Sequence, residues 1–124
     1  MDGKTTKHLD LTKEEVSEYL KKFKKLVQRE RYKISDTNRE KNNEFIKKYS
    51  LSSKKIKNML LELQEENFVY AVDNDKGFDE ILYVFVKEYE LNYWGETEVV
   101  PVYVKINMLE EKMFSVVVSF HELE

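Results

Sequence analysis

The hydrophobic period of this chain changes once, at Glu66-Asn67, and that change decides its fold class. Before it, apolar residues recur every three or four positions, the period of a helix face. After it they alternate, the period of a strand. Helices followed by strands imply an α+β fold rather than interleaved βαβ units. Short connections between the strands imply an antiparallel meander. The expected architecture is three helices packed on one face of a mainly antiparallel four- to five-stranded sheet. The other face is then left without helices.

The first helix is predicted over Lys13–Arg29. Thr12-Lys13-Glu14-Glu15 is a capping box, in which Thr12 caps the first turn and Glu15 reaches back. Val16, Tyr19, Leu20, Phe23, Leu26 and Val27 form its apolar stripe. Tyr32-Lys33-Ile34-Ser35 reads as a short strand, and Asp36-Thr37-Asn38 as a turn with a helix cap. The second helix spans Arg39–Lys48, with Phe45, Ile46 and Tyr49 inward. Ser52 or Ser53 caps a third, Lys54–Glu65, with Ile56, Met59, Leu60 and Leu63 inward.

Phe68–Val72 is a strand, and Asp73-Asn74-Asp75-Lys76-Gly77 a turn. Glu80–Tyr89 is a strand apolar on both faces, hence central. Leu91–Glu96 reads as a loop. Val99–Asn107 and Met113–His121 form a hairpin around Leu109-Glu110-Glu111-Lys112. Pro101 lacks an amide proton, so its position is expected at an edge or a bulge. Alternation puts Val102, Val104 and Ile106 on a core face, matched by Phe114, Val116, Val118 and Phe120. Tyr103, Lys105, Ser115, Val117, Ser119 and His121 then take the opposite face. With Leu82, Val84 and Val86 facing the helices, Tyr83, Phe85, Lys87 and Tyr89 join that open side.

A chain of 124 residues suffices for one domain, expected over 11–124 after a flexible segment, 1–10. The absence of cysteine excludes disulfides and thiolate metal sites. His8 and His121 are the only histidines, too few for a usual zinc site. Asp73, Asp75 and Asp79 lack the spacing and final Glu of an EF-hand. There is no phosphate-binding Gly-rich loop and no nucleophile elbow. No metal or cofactor is expected. No apolar run is long enough to span a bilayer and nothing resembles a signal peptide, so a cytoplasmic location is expected.

The net charge of −3 conceals a split. Residues 1–58 carry 17 Lys and Arg against 9 Asp and Glu, and residues 59–124 carry 4 against 15. A basic helical half suits a polyanion or an acidic partner, and it is equally what a solvated Lys-rich helix face looks like.

The residues on the open face suit RNA cleavage without a metal. The 2′-hydroxyl must lose a proton, the 5′-oxygen must gain one, and charge on the phosphate must be stabilised. An unperturbed imidazole titrates near about pH 6.5 and serves as acid or base. His121 takes that role. Tyr103 and Lys105 contact phosphate, Lys87 supplies a further charge, Tyr83 and Phe85 stack bases, and Lys21, Lys24 and Lys25 extend the RNA-binding surface. The hairpin sets His121 diagonal to Tyr103, with β-carbons about 7–8 Å apart and room for a phosphate between. The competing interpretation is that a half-covered sheet shows Tyr, Lys and His to water for solubility alone.

Three stretches, LTKEEVSEYLKKFKKLV, MLLELQEENFVYAV and VPVYVKINMLEEKMFSVVVSFHE, span roughly Leu11–Glu122. In them the chain resembles the motility quorum-sensing regulator (MqsR-like) toxins of the RelE-like group of messenger-RNA endonucleases. The closing hairpin, similar to V-Y-[IL]-K-[IL] … [VI]-S-F-[HK]-E, is the most specific of the three. The resemblance implies an endoribonuclease toxin on an α+β scaffold, an mRNA substrate and a cognate antitoxin. It maps the family's sheet tyrosine onto Tyr103, its lysine onto Lys105 and its terminal basic residue onto His121. Lys87 lies in the preceding strand, where related sequences also show lysine. Tyr70 stands where some members carry a lysine. The alternative is a non-catalytic protein on the same scaffold, a phage-type inhibitor or a nucleic-acid mimic built on the charge split. The oligomeric state is not encoded in any of these features.

Overall fold

Helix α1 (Lys13–Gln28) starts where the capping box places it. The Glu15 amide donates to Thr12 Oγ1 at 3.1 Å, and the Thr12 amide donates to Glu15 Oε1 at 2.8 Å. The structure, a computed structural model, describes residues 7–8, 11–36, 40–73 and 80–124. The expected turns at Thr37-Asn38 and Asn74–Gly77 lie outside the described residues. So do the aspartates at 75 and 79, the His8 side chain and most of the first ten residues.

Before α1 comes a two-residue strand, β1 (Lys7–His8), and after it β2 (Tyr32–Ile34). Helices α2 (Glu40–Lys48) and α3 (Ser53–Leu61) follow. Ser52 caps α3 by accepting from the Lys55 amide at 3.0 Å. That helix stops at Leu61, four residues short of the expected end, and a 3-10 turn over Glu65–Asn67 leads into the sheet. The remaining strands are β3 (Phe68–Asp73), β4 (Ile81–Tyr93), β5 (Glu96–Leu109) and β6 (Phe114–Glu122).

The sheet order is β1-β3-β4-β5-β6-β2, in which only β2 runs parallel to its neighbour. Among the described residues the fold is α+β, with three helices and a mainly antiparallel sheet, as the period change implies. The meander β3 to β6 is its centre. One hydrophobic core joins the helices to a single sheet face. Val16, Phe23, Val27, Phe45, Met59, Leu60 and Leu63 pack there against Phe85, Val102, Val104, Ile106, Val117 and Phe120. Among the described residues, no helix is long and apolar enough to cross a membrane.

Two sequence expectations fail in the sheet, each for a definite reason. The first is the loop at Leu91–Glu96. Strands β4 and β5 continue through it and join at a two-residue turn, Trp94-Gly95, with Tyr93 paired to Glu96. Both turn residues have positive φ, 54° and 87°, the geometry of a type I′ turn. Asn92 Oδ1 accepts the Gly95 amide at 3.0 Å and holds the turn closed. Register then follows from the turn and pairs Phe85 with Val104 and Lys87 with Val102. Tyr83, Phe85, Lys87 and Tyr89 therefore face the helices. Leu82, Val84 and Val86 take the other side, the reverse of the expectation.

The second is the inward face of β6. Lys105 pairs with Ser119, but Ile106 pairs with Val117, so Val118 is an extra residue, a β-bulge. The bulge reverses parity N-terminal to it. Ser115 and Val117, expected outward, are fully buried on the core face. Phe114, Val116 and Val118, expected inward, are only half-buried. Phe120 stays in the core. Buried Asn42 of α2 pins the bulge. Its Nδ2 donates to Val118 O and Ser35 O, both at 3.0 Å, and its Oδ1 accepts from the Phe120 amide at 2.8 Å. Asn42 thus serves β6 with hydrogen bonds where β2 has ended. Pro101 falls where β6 runs out. Its carbonyl accepts from the Leu123 amide at 2.8 Å, so its missing proton faces the end of that strand.

Tyrosine hydroxyls are spread through the packed layers. Burial raises the pKa of Tyr19, Tyr83, Tyr89 and Tyr103 above the ordinary tyrosine value. Each then holds its proton more tightly folded than unfolded. The stability involved is complete below about pH 10, the unfolded value, and is lost as pH rises beyond it. We expect a flat melting temperature up to about pH 9.5 and a steep fall above. Tyrosinate absorbance should rise together with unfolding in a pH titration. A melting temperature unchanged to pH 11 would contradict this.

Candidate functional site

Among the described residues, no helix covers the sheet face opposite the core, and alternate residues of four strands line it. Register places Tyr70 of β3, Val86 of β4, Tyr103 and Lys105 of β5, and Ser119 and His121 of β6 on it. Tyr103 sits directly opposite His121, rather than on the diagonal expected from the sequence. Their rings stack at 5.4 Å between centroids with 18° between planes. A phosphate therefore cannot lie between the rings. It can only approach them from the solvent side. The Tyr70 hydroxyl reaches to 3.5 Å of the Tyr103 hydroxyl, the outer limit of a hydrogen bond.

His121 Nδ1 lies 3.0 Å from its neighbour's carbonyl, Glu122 O. A carbonyl can only accept, so Nδ1 carries the proton and donates. In the neutral ring this leaves Nε2 as an acceptor. Burial, and then Tyr70, raise the pKa of Tyr103. Its hydroxyl stays protonated at neutral pH and is a hydrogen-bond donor rather than a base. Lys105 is half-buried between Val84 and Ser119 in the neighbouring strands, one diagonal step from His121.

No family model, curated protein or solved structure matches this chain. The site therefore rests on its own geometry.

At the β6 edge, His121 also lines a cavity of about 230 Å³ with Phe45, Lys41 and Lys48 of α2. Both lysines are engaged by carboxylates of the same wall. Lys41 is 2.6 Å from Glu124, and Lys48 is 3.6 Å from Glu122. Lys41, first through its hydrogen bond, lowers the pKa of Glu124. Among the described residues, no group of three His, Asp or Glu is placed to hold a metal ion.

The structure brings together three of the residues singled out in the sequence: Tyr103, Lys105 and His121. It separates the rest from them. Tyr83 stacks on Tyr19 of α1 at 3.6 Å, and Phe85 is fully buried under the helices. Neither can stack a base beside Tyr103. Lys87 lies on the helix side, where, after burial, its charge lowers the pKa of Lys24. Lys21 is exposed on α1 and paired with Glu18 at 3.3 Å. Lys25 belongs to the same helix layer. Sequence reasoning did not place Tyr70 in the site. Its signal was the alternation Phe68–Val72, which a further register shift between Phe68 and Tyr70 obscured.

Proposed function

We propose that this chain is a metal-independent endoribonuclease, the toxin of a toxin–antitoxin pair acting on mRNA in the cytoplasm. The observation that carries the reading is the Tyr103–His121 stack on the sheet face opposite the helical core, with Lys105 diagonal to it. His121 Nε2 accepts the proton of the 2′-hydroxyl, whose oxygen attacks phosphorus. A 2′,3′-cyclic phosphate forms, and the 5′-oxygen leaves with a proton taken from water. Tyr103 and Lys105 donate hydrogen bonds to the non-bridging oxygens, where charge accumulates. Single-stranded RNA incubated with the purified chain and EDTA should yield fragments ending in cyclic phosphate. RNA left intact would overturn the reading.

One observation favours the alternative, a non-catalytic binding protein. The cations nearest His121 on α2 are already engaged by Glu122 and Glu124, so the edge of the site offers RNA little free positive charge. Intact RNA together with stoichiometric co-purification of one protein partner would select that reading.

A further inference from the structure

On the helix side of the sheet, away from Tyr103 and His121, a groove of about 290 Å³ runs between α1 and the 3-10 turn Glu110–Lys112. Leu26, Met108 and Met113 give it an apolar lining, and Lys22, Lys25 and Arg29 of α1 form a basic margin. Glu110 is the one carboxylate among its lining residues, 3.7 Å from Lys22 in an exposed pair. Such a pair contributes little and opens readily.

Met113 is the informative residue. It adopts φ 49° and ψ 50°, the left-handed region that a glycine occupies without strain. It nevertheless carries a large apolar side chain that is 56% exposed. The fold gains little from burying it, and its backbone would relax with glycine. Arg31 fixes the turn. Its Nε donates to Met113 O at 3.1 Å and its Nη2 to Lys112 O at 2.9 Å. A strained, braced, exposed methionine beside a basic helix is the arrangement of a preformed contact surface.

We infer that this groove docks an acidic protein segment through one apolar anchor side chain. The volume admits an anchor of one or two side chains and lies at the lower end of the range for small-molecule pockets. Methionine adapts to differing apolar shapes. The three cations select carboxylates flanking the anchor, and the basic half of the chain adds long-range attraction. A nucleic-acid backbone meets the charge but has nothing to place on Leu26 and Met113. The inference is independent of RNA cleavage.

Selection of randomised 12-residue displayed peptides against the purified chain tests it. The expected winners carry a single Leu, Met, Phe or Trp with Asp or Glu within four residues. A synthetic peptide of the winning sequence should lose at least tenfold in affinity to Lys25→Glu and to Met113→Glu. Its binding should weaken with added salt. Met113→Gly should also weaken it while raising the melting temperature by about 3–6 °C, which separates docking from folding. Failure to select any peptide, winners without acidic residues, or affinity indifferent to both charge-reversing and glycine variants would overturn the inference. Competition by single-stranded RNA for the same residues would assign the groove to nucleic acid and overturn it as well.

Discussion

Replacing Asn42 with leucine is expected to cost the fold about 3 kcal/mol or more, out of the roughly 5–15 kcal/mol typical of a domain. The side chain is 1% exposed and makes three hydrogen bonds, all to backbone groups at the edge of the sheet. Leucine fills similar space but satisfies none of them. The Phe120 amide and the carbonyls of Val118 and Ser35 would lose a partner together. Each buried group so stranded costs about 1–3 kcal/mol. Some relaxation toward water at the edge keeps the total near the lower bound of their sum. Urea denaturation with an unchanged slope and a lowered midpoint would measure it. A loss below about 1 kcal/mol would show that the bulge at Val118 holds itself.

That same asparagine links the fold to the proposed site. The bulge shifts β6 by one residue against β5, which lets Val117 and Phe120 both reach the core although they are three positions apart. Beyond the bulge, Ser119 and His121 keep the outward parity that brings His121 opposite Tyr103. Damage at Asn42 should therefore disturb the Tyr103–His121 stack even in the fraction of molecules that stays folded.

Period and capping made the layers legible. The Thr12–Glu15 box, the stripe from Val16 to Val27 and the change at Glu66-Asn67 place the helices and the meander from the sequence alone. Register was not legible in the same way. Trp94-Gly95 carries a turn signal in its glycine, but tryptophan is unusual at positive φ, and the flanking strands read as loop. Counting back from that turn would have set Phe85 opposite Val104 and put Tyr83 and Lys87 under the helices. Alternation cannot reveal the bulge at Val118, because Val116, Val117 and Val118 are the same residue type. Its sign is Asn42, 76 residues away in sequence from Val118 and visible only once both are placed. The part of β6 C-terminal to the bulge keeps the expected parity, which is why His121 shares a face with Tyr103 and Lys105 of β5.

His121→Ala should lower RNA cleavage by about 10²–10⁴-fold, the usual contribution of one general acid–base group. That corresponds to about 3–5 kcal/mol of transition-state stabilisation. His121 is half-buried near the end of β6, beyond the residues that pair with β2, so the substitution should leave the melting temperature nearly unchanged. RNA binding should change little, since in this reading the imidazole moves a proton and the phosphate is held by Lys105 and Tyr103. Tyr103→Phe keeps the ring against His121 but removes a hydroxyl that burial keeps protonated. It should cost about 10²-fold or more through the lost donor to the developing charge. The two losses should combine to less than their product, because the stacked rings act on one phosphate as a unit. Cleavage by His121→Ala at the rate of the unsubstituted chain would remove the imidazole from the chemistry. It would leave the Tyr103–His121 pair as a packing feature of a binding surface.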